Sequence, residues 1–158
     1  MDRPRGMLSR VSPRREVVTI GYEGRTIDDV LARLVDLGVT LVADVRMTPT
    51  SRAPGFSKNR LRARLAERGI AYEHLPGLGN PKANRRPFRS GSPASRRAYL
   101  DAVEASGLED LRRLEALVRD ERVALLCFER RHAECHRSSV AGLLVLGDPT
   151  ITVVAAES

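Results

Sequence analysis

Cysteine is scarce: Cys127 and Cys135 are the two in the chain, and both stand close to histidines. That is too few, and the wrong setting, for a disulfide framework of the kind that staples small secreted domains. No apolar segment opens the chain, which argues against secretion or membrane insertion and gives the expectation of a cytoplasmic protein with no membrane partner. No internal repeat and no low-complexity core segment is present, so solenoid and array architectures are excluded. Acidic residues are outnumbered, 20 against 27 lysines and arginines, leaving a net charge of +7 and a pI near 10.4. Such a balance favours anionic partners over neutral ones, a statement about association and not about fold. Most of the positive charge is arginine, the side chain suited to bidentate recognition of phosphate or carboxylate.

What is present suffices for one domain. The 158 residues are 42% hydrophobic, enough to bury a core but not two. Residues 1–16 carry Arg3, Arg5, Arg10, Arg14 and Arg15 among prolines and glycine, and the expectation is a disordered basic arm. Residues 17–158 are expected to form the folded domain. Its first strand is the β-branched run Val17, Val18, Thr19, Ile20, stopped by Gly21. Thr26 follows as an N-cap, with Asp28 and Asp29 in the first turn, Ile27, Val30, Leu31 and Leu34 at helical spacing, and Gly38 as the stop.

A second buried strand over residues 41–46 ends on Asp44 and Arg46. The loop after it holds Pro49, Ser51, Arg52, Pro54 and Gly55, and Ser57 is placed to cap the next helix. On that helix Arg60, Arg64 and Arg68 stand four apart, a repulsive arrangement unless something anionic lies against it. A short strand over residues 70–75 is followed by a Pro- and Gly-rich loop. From there to Gly91 the chain is expected to be basic and irregular, with Lys82, Arg85, Arg86 and Arg89 around Phe88. Ser92-Pro93 starts a helix, a second helical pattern follows Gly107, and residues 123–127 form a buried strand. The pattern ends with a helix carrying Val140, Leu143 and Leu144, and a last strand over residues 151–154. Strands alternating with helices imply a single three-layer α/β domain, with a mainly parallel central sheet and helices on both faces.

In such a sheet the polar loops at the strands' carboxyl ends converge. They bring Tyr22, Glu23, Arg25, Asp44, Arg46, Ser51, Arg52, His74, Glu129, Cys135, His136 and Arg137 toward one cleft. Cys135 at a helix N-terminus near arginine has the setting of an activated thiol. Arg137 with Arg46 and Arg52 has that of an anion clamp. Glu129 and Asp44 either move protons or orient those arginines, and His136 orients a neighbour. Cys127, His132, Cys135 and His136 match no paired-ligand spacing, so no metal is favoured and the cofactor is unknown. Arg60, Arg64 and Arg68, with Lys82, Arg85 and Arg86, are the candidate nucleic-acid contacts.

Several of these stretches together resemble a known family. They are Thr19-Ile20-Gly21-Tyr22-Glu23-Gly24, Asp44-Val45-Arg46 with Pro49, Ser51-Arg52, Pro54-Gly55-Phe56-Ser57, Leu75-Pro76 with Leu78-Gly79, and Leu125-Leu126-Cys127-Phe128-Glu129 followed by Cys135-His136-Arg137. In this order they resemble the uncharacterised bacterial family known as domain of unknown function 488. The resemblance implies a compact α/β domain with a shared polar cleft, and no particular reaction. The Asp-Val-Arg strand end and the Cys loop before a helix are also similar to rhodanese and cysteine-phosphatase designs. Here, however, residues 127–137 make a longer loop than those anion cradles, and His136 follows the cysteine nearest the helix.

Three readings stay open on the sequence. The first is an enzyme-like domain binding a phosphate-bearing or other anionic ligand, nucleic acid included. The others are a non-catalytic nucleic-acid-binding module and a cysteine-based sulfur or phosphoryl transferase acting through Cys135 or Cys127.

Overall fold

The apolar runs assemble into a five-stranded, all-parallel sheet in a computed structural model that describes residues 15–157. Strands β1 (Arg15–Gly21), β2 (Leu41–Asp44), β3 (Ala71–His74), β4 (Val123–Cys127) and β5 (Ile151–Ala156) lie in the order β3-β2-β4-β1-β5. The helices are α1 (Ile27–Asp36), α2 (Lys58–Ala66), α3 (Lys82–Arg89), α4 (Pro93–Ser106), α5 (Leu108–Asp120) and α6 (Arg137–Gly147). Short 3₁₀ turns occupy Pro76–Leu78 and His132–Glu134. The expected three-layer α/β architecture is therefore present, with β2, β4 and β1 as adjacent central strands.

Side-chain alternation along each strand sorts the core into two layers. Val18, Ile20, Val42, Ala124 and Leu126 face α1 and α2, where Val30, Leu31, Leu34, Leu61 and Leu65 are buried. Val17, Ala43, Leu125 and Cys127 face the other way, against Phe88, Tyr99, Leu114, Val140 and Leu144 of α3 to α6. Each Leu or Phe so buried contributes about 1.5–3 kcal/mol relative to exposure. The same parity decides where the chemistry goes. Cys127 and Thr19 share the face on which α6 packs, whereas Asp44 points to the opposite one.

Thr26 caps α1 as expected: its Oγ1 accepts from Asp29 N (3.1 Å) and the Asp29 carboxylate accepts from Thr26 N (3.3 Å). Three expectations need correction. Arg15 and Glu16 belong to β1, paired with Ile151 and Thr152 of β5, because the register with a neighbouring strand continues past the apolar run; residues 1–14 of the proposed arm lie outside the described residues. Ser57 sits at the N-cap of α2 without capping it; its hydroxyl instead accepts from Ser51 N (3.1 Å) and donates to Ser51 O (3.2 Å), closing the loop below the site.

The third concerns residues 82–89, expected to be irregular and found as α3. Pro81 stands at the N-cap, where no N–H is needed, and Pro87 falls in the last turn, so neither breaks the helix at its centre. Burial of Phe88 against the edge of Tyr99 holds it down, with the Arg96 guanidinium 4.4 Å from the Phe88 ring centre. At its start Asn84 donates to Asn80 Oδ1 (2.9 Å) and to Ser95 O (3.0 Å).

The strand end of β2 is fastened by a buried ion pair. Asp44 is wholly buried; its Oδ1 accepts from Arg46 N (3.1 Å) and Nε (2.8 Å), and its Oδ2 from Arg46 Nη2 (2.7 Å) and the Tyr72 hydroxyl (2.5 Å). Removing one partner leaves the other charge buried and uncompensated, which costs far more than the pair contributes. Asp44→Ala is therefore expected to lower unfolding free energy by about 3–5 kcal/mol in urea titration; a loss under about 1 kcal/mol would show that Arg46 finds solvent once Asp44 is gone.

Candidate functional site

The chain leaves β1 and β2 toward the α1 and α2 layer, and leaves β4 toward the layer that holds α6. A crevice outside the strands' carboxyl ends forms where successive connections part in this way, the position at which open α/β sheets bind ligands. Here it is a cavity of about 250 Å³ lined by Tyr22, Arg46, Thr48, Thr50, Ser51, Asn80, Arg85, Cys127, Phe128, Glu129, Glu134 and His136, with Met47 between.

The loop after β4 is seated by continued pairing with the chain after β1: Tyr22 N donates to Cys127 O (3.2 Å) and Glu23 N to Phe128 O (2.9 Å). Gly21 makes this possible, since a Cβ there would lie 1.8 Å from Glu129 O. The opposite rim uses the same device. A Cβ at Gly79 would come within 2.5 Å of Met47 backbone atoms, so the loop after β3 closes directly onto the loop after β2.

The floor of the cavity is a cluster of sulfur and imidazole. Cys127 ends β4, Cys135 follows the 3₁₀ turn, and His136 is the N-cap of α6. The His136 Nε2 lies 2.8 Å from Val45 O. A carbonyl only accepts, so Nε2 carries a proton and donates it. Nδ1 therefore turns toward the two sulfurs, 3.7 Å from Cys135 Sγ and 3.9 Å from Cys127 Sγ. The ligand atoms of all three residues lie within 4.8 Å of one another. Tyr99, its ring centre 5.4 Å from that of His136, backs the imidazole.

Arg137, the first residue of α6, is wholly buried. Its side chain folds back under the cluster, donating from Nη1 to Thr19 Oγ1 (3.0 Å), from Nε to Cys135 Sγ (3.2 Å) and from Nη2 to Glu129 O. Among the described residues no carboxylate pairs with it. A buried cation needs a counter-charge, and the nearest group able to carry one is the Cys135 sulfur.

The electrostatics of the cluster agree. Burial opposes ionisation of Cys135, but the Cys127 thiol, His136 and Arg137 together hold it well below the ordinary thiol range. The neighbouring Cys135 sulfur, with burial, pushes the Cys127 thiol well up. Negative charge is thus favoured on the inner sulfur over the one facing the cavity. Burial works against the His136 cation, yet the Cys135 charge beside it raises the imidazole above its usual range. Glu129, with Oε1 3.8 Å from Cys127 Sγ, is raised by burial and by the same sulfur charge, giving a carboxyl set up to exchange protons with whatever occupies the cavity.

The sequence-predicted residues divide accordingly. Cys135, His136, Glu129 and Arg137 meet in one corner, and Tyr22, Arg46 and Ser51 line the cavity beside it. Arg46 is nearly spent internally, on Asp44, the Phe56 carbonyl (2.7 Å) and the Tyr22 hydroxyl (3.2 Å). Asp44 lies behind it and His74, whose Nε2–H donates to Arg46 O (2.8 Å), supports the same turn. Arg25 reaches away to Ala156 O, Arg52 is exposed outside the cavity, and Glu23 is held by Arg89 (2.9 Å) and Arg130 N (3.1 Å). Arg64 pairs with Asp28 and Glu67, and Arg68 with Glu67, while Arg60 is exposed. Lys82, Arg85 and Arg86 are exposed on α3, and Arg85 borders the cavity with its Nε bonded to Asn80 O (3.1 Å).

The structure brings Cys127 to Cys135 and His136, a grouping weighed on the sequence with His132 and set aside because its spacing matches no paired-ligand pattern; its place as the last inward-facing residue of a central strand is what favours it. The sequence reading did not single out Met47, Thr48, Thr50, Asn80, Phe128 and Glu134 as lining residues; the signal for Asn80 was a strand end followed by a Gly-rich loop.

Two further findings bear on kinship. No curated protein and no solved structure matches the chain. Residues 26–144, most of the chain and all of the sulfur–imidazole corner, match the family model described as Domain of unknown function DUF488. The chain therefore belongs to the DUF488 family, as the order of its strand-end motifs had suggested.

Proposed function

We propose that this protein is an enzyme acting on a phosphate-bearing or other anionic ligand in the cavity at the carboxyl ends of β2 and β4, with the chemistry carried out at Cys127, Cys135 and His136. The observation that carries this reading is the imidazole Nδ1 aimed at two sulfurs at the floor of a cavity with a cation on its rim. Arg85 supplies that cation, and Asn80, Thr48, Thr50 and Ser51 supply neutral donors around it. Tyr22 and the half-exposed Phe128, edge to face at 5.4 Å, form an aromatic wall that suits a planar ring. A ligand with a ring and a phosphate, such as a nucleotide or a nucleic-acid terminus, fits both ends. In this reading Glu129 moves the protons, and Arg137 holds the charge on the inner sulfur.

A binding module for nucleic acid is the second reading, favoured by the exposed Lys82, Arg85 and Arg86 of α3 at the cavity mouth. Calorimetric titration with pyrophosphate, adenosine monophosphate and single-stranded RNA separates the two. A small-ligand enzyme binds the first two, and Arg85→Ala weakens binding about tenfold, the loss of one charge-assisted contact. Binding of RNA alone, falling steeply with salt, supports the module instead. No binding of any of the three removes the anionic-ligand reading.

Covalent cysteine catalysis is disfavoured by the same geometry, since both sulfurs are buried, Cys127 at 7% and Cys135 at 1% exposure, and the one lining the cavity is the one pushed toward the thiol. Both thiols of the metal-free protein are accordingly expected to react with iodoacetamide near neutral pH no faster than an ordinary cysteine. Rapid alkylation of either, slowed by phosphate, would restore the transferase reading.

A further inference from the structure

The cluster has a geometry that neither a nucleophile nor an anion clamp calls for. We propose that Cys127, Cys135 and His136 bind a zinc ion, with the fourth coordination position facing the cavity. Tetrahedral zinc, with Zn–S near ~2.3 Å and Zn–N near ~2.05 Å, holds a sulfur and a nitrogen about 3.6 Å apart and two sulfurs about 3.8 Å apart. Both sulfurs stand 3.7 and 3.9 Å from His136 Nδ1, and the three ligand atoms lie within 4.8 Å of one another. The ligand types are those zinc prefers, thiolate and imidazole.

The surroundings supply what such a site needs beyond its ligands. Nε2–H of His136 donates to Val45 O, which fixes the ring and the tautomer that leaves Nδ1 free to coordinate. Arg137 donates to Cys135 Sγ, a hydrogen bond of the kind that tunes a metal-bound thiolate. His132, the other candidate ligand of this loop, is engaged elsewhere, its Nδ1 hydrogen-bonded to the Thr19 hydroxyl at 2.8 Å. Three protein ligands and an opening distinguish a catalytic site from a closed structural one. The opening is on the side of Cys127 and His136, which line the cavity, and Glu129 stands there at 3.8 Å from Cys127 Sγ, placed to take a proton from a water in the fourth position. The proposal stands apart from the identity of the ligand: a chain that binds zinc but no phosphate compound keeps this site and loses the anionic-ligand reading.

The test uses the full chain, tag-free and kept reduced, incubated with zinc chloride and dialysed against metal-free buffer. Elemental analysis is expected to find about one zinc per chain, reduced at least about tenfold in Cys127→Ser and in His136→Gln. Because a variant can lose metal by misfolding, cobalt(II) is also titrated into the wild type. The expected result is intense visible bands of tetrahedral cobalt with a sulfur-to-cobalt charge-transfer band, and a change in the visible bands on adding azide. Wild-type protein that retains under about a tenth of an equivalent of zinc, or a cobalt spectrum without the charge-transfer band, overturns the site. A Cys127–Cys135 disulfide that persists in the reducing buffer and takes the place of metal does so too. A cobalt spectrum that azide leaves unchanged overturns the open position.

Discussion

A guanidinium with no carboxylate beside it among the described residues sits at the centre of this structure. Arg137 is wholly buried and is satisfied by a hydroxyl, a backbone carbonyl and a sulfur. Taking an arginine out of water is tolerable only where its charge is answered, and here the answer is Cys135. The rest of the corner follows from that pairing. The Cys135 sulfur at 3.7 Å raises His136, His136 is turned by its bond to Val45 O, and the turn aims Nδ1 at both Cys135 and Cys127. Three elements from different parts of the chain, the end of β2, the end of β4 and the start of α6, are thereby locked to one another.

Backbone geometry makes room for this. With β4 inserted between β1 and β2, the loop after β4 must pass over the end of β1, and it does so across Gly21, where any side chain would collide with Glu129 O. Strand parity then puts Cys127 on the α6 side of the sheet, and the Asp44–Arg46 pair on the other. One cavity is consequently walled by two separate buried polar systems. The Asp44 system fastens the wall, and the sulfur–imidazole system forms the floor.

Much of the fold was legible in the sequence because it depends on local patterns. The β-branched run before Gly21, the Thr26 cap with Asp29, and the Ser92-Pro93 start each contain their own explanation within a few residues. Helix α3 was not legible, since Pro81 and Pro87 read as breakers until Phe88 is seen buried under Tyr99. The converging loops could be inferred from the parallel sheet, and they brought Glu129, Cys135, His136 and Arg137 together as expected. What the spacing hid was which arginines remain available to a ligand. Arg46 and Arg137 have their donors largely filled from within, Arg52 points outside, and Arg85, on the helix read as loop, borders the cavity. Partner choice among buried charges is a long-range property: Thr19 and Arg137 are 118 residues apart, and no local motif records their contact. The grouping of Cys127 with Cys135 and His136 could be named on the sequence but not favoured, because the seven residues between the two cysteines fit no ligand spacing until the 3₁₀ turn folds them back.

Everything in this corner turns on His136 offering the Nδ1 lone pair, or an Nδ1 proton, to the two sulfurs while Nε2–H is held by Val45 O. Long-range proton–nitrogen correlation spectra of histidine-labelled protein report this directly, with His136 assigned through His136→Gln. Nε2 is expected to be protonated in every state, and Nδ1 to be unprotonated once zinc is added. A ring protonated on Nδ1 alone, or one averaging freely between tautomers as an exposed histidine does, would contradict it.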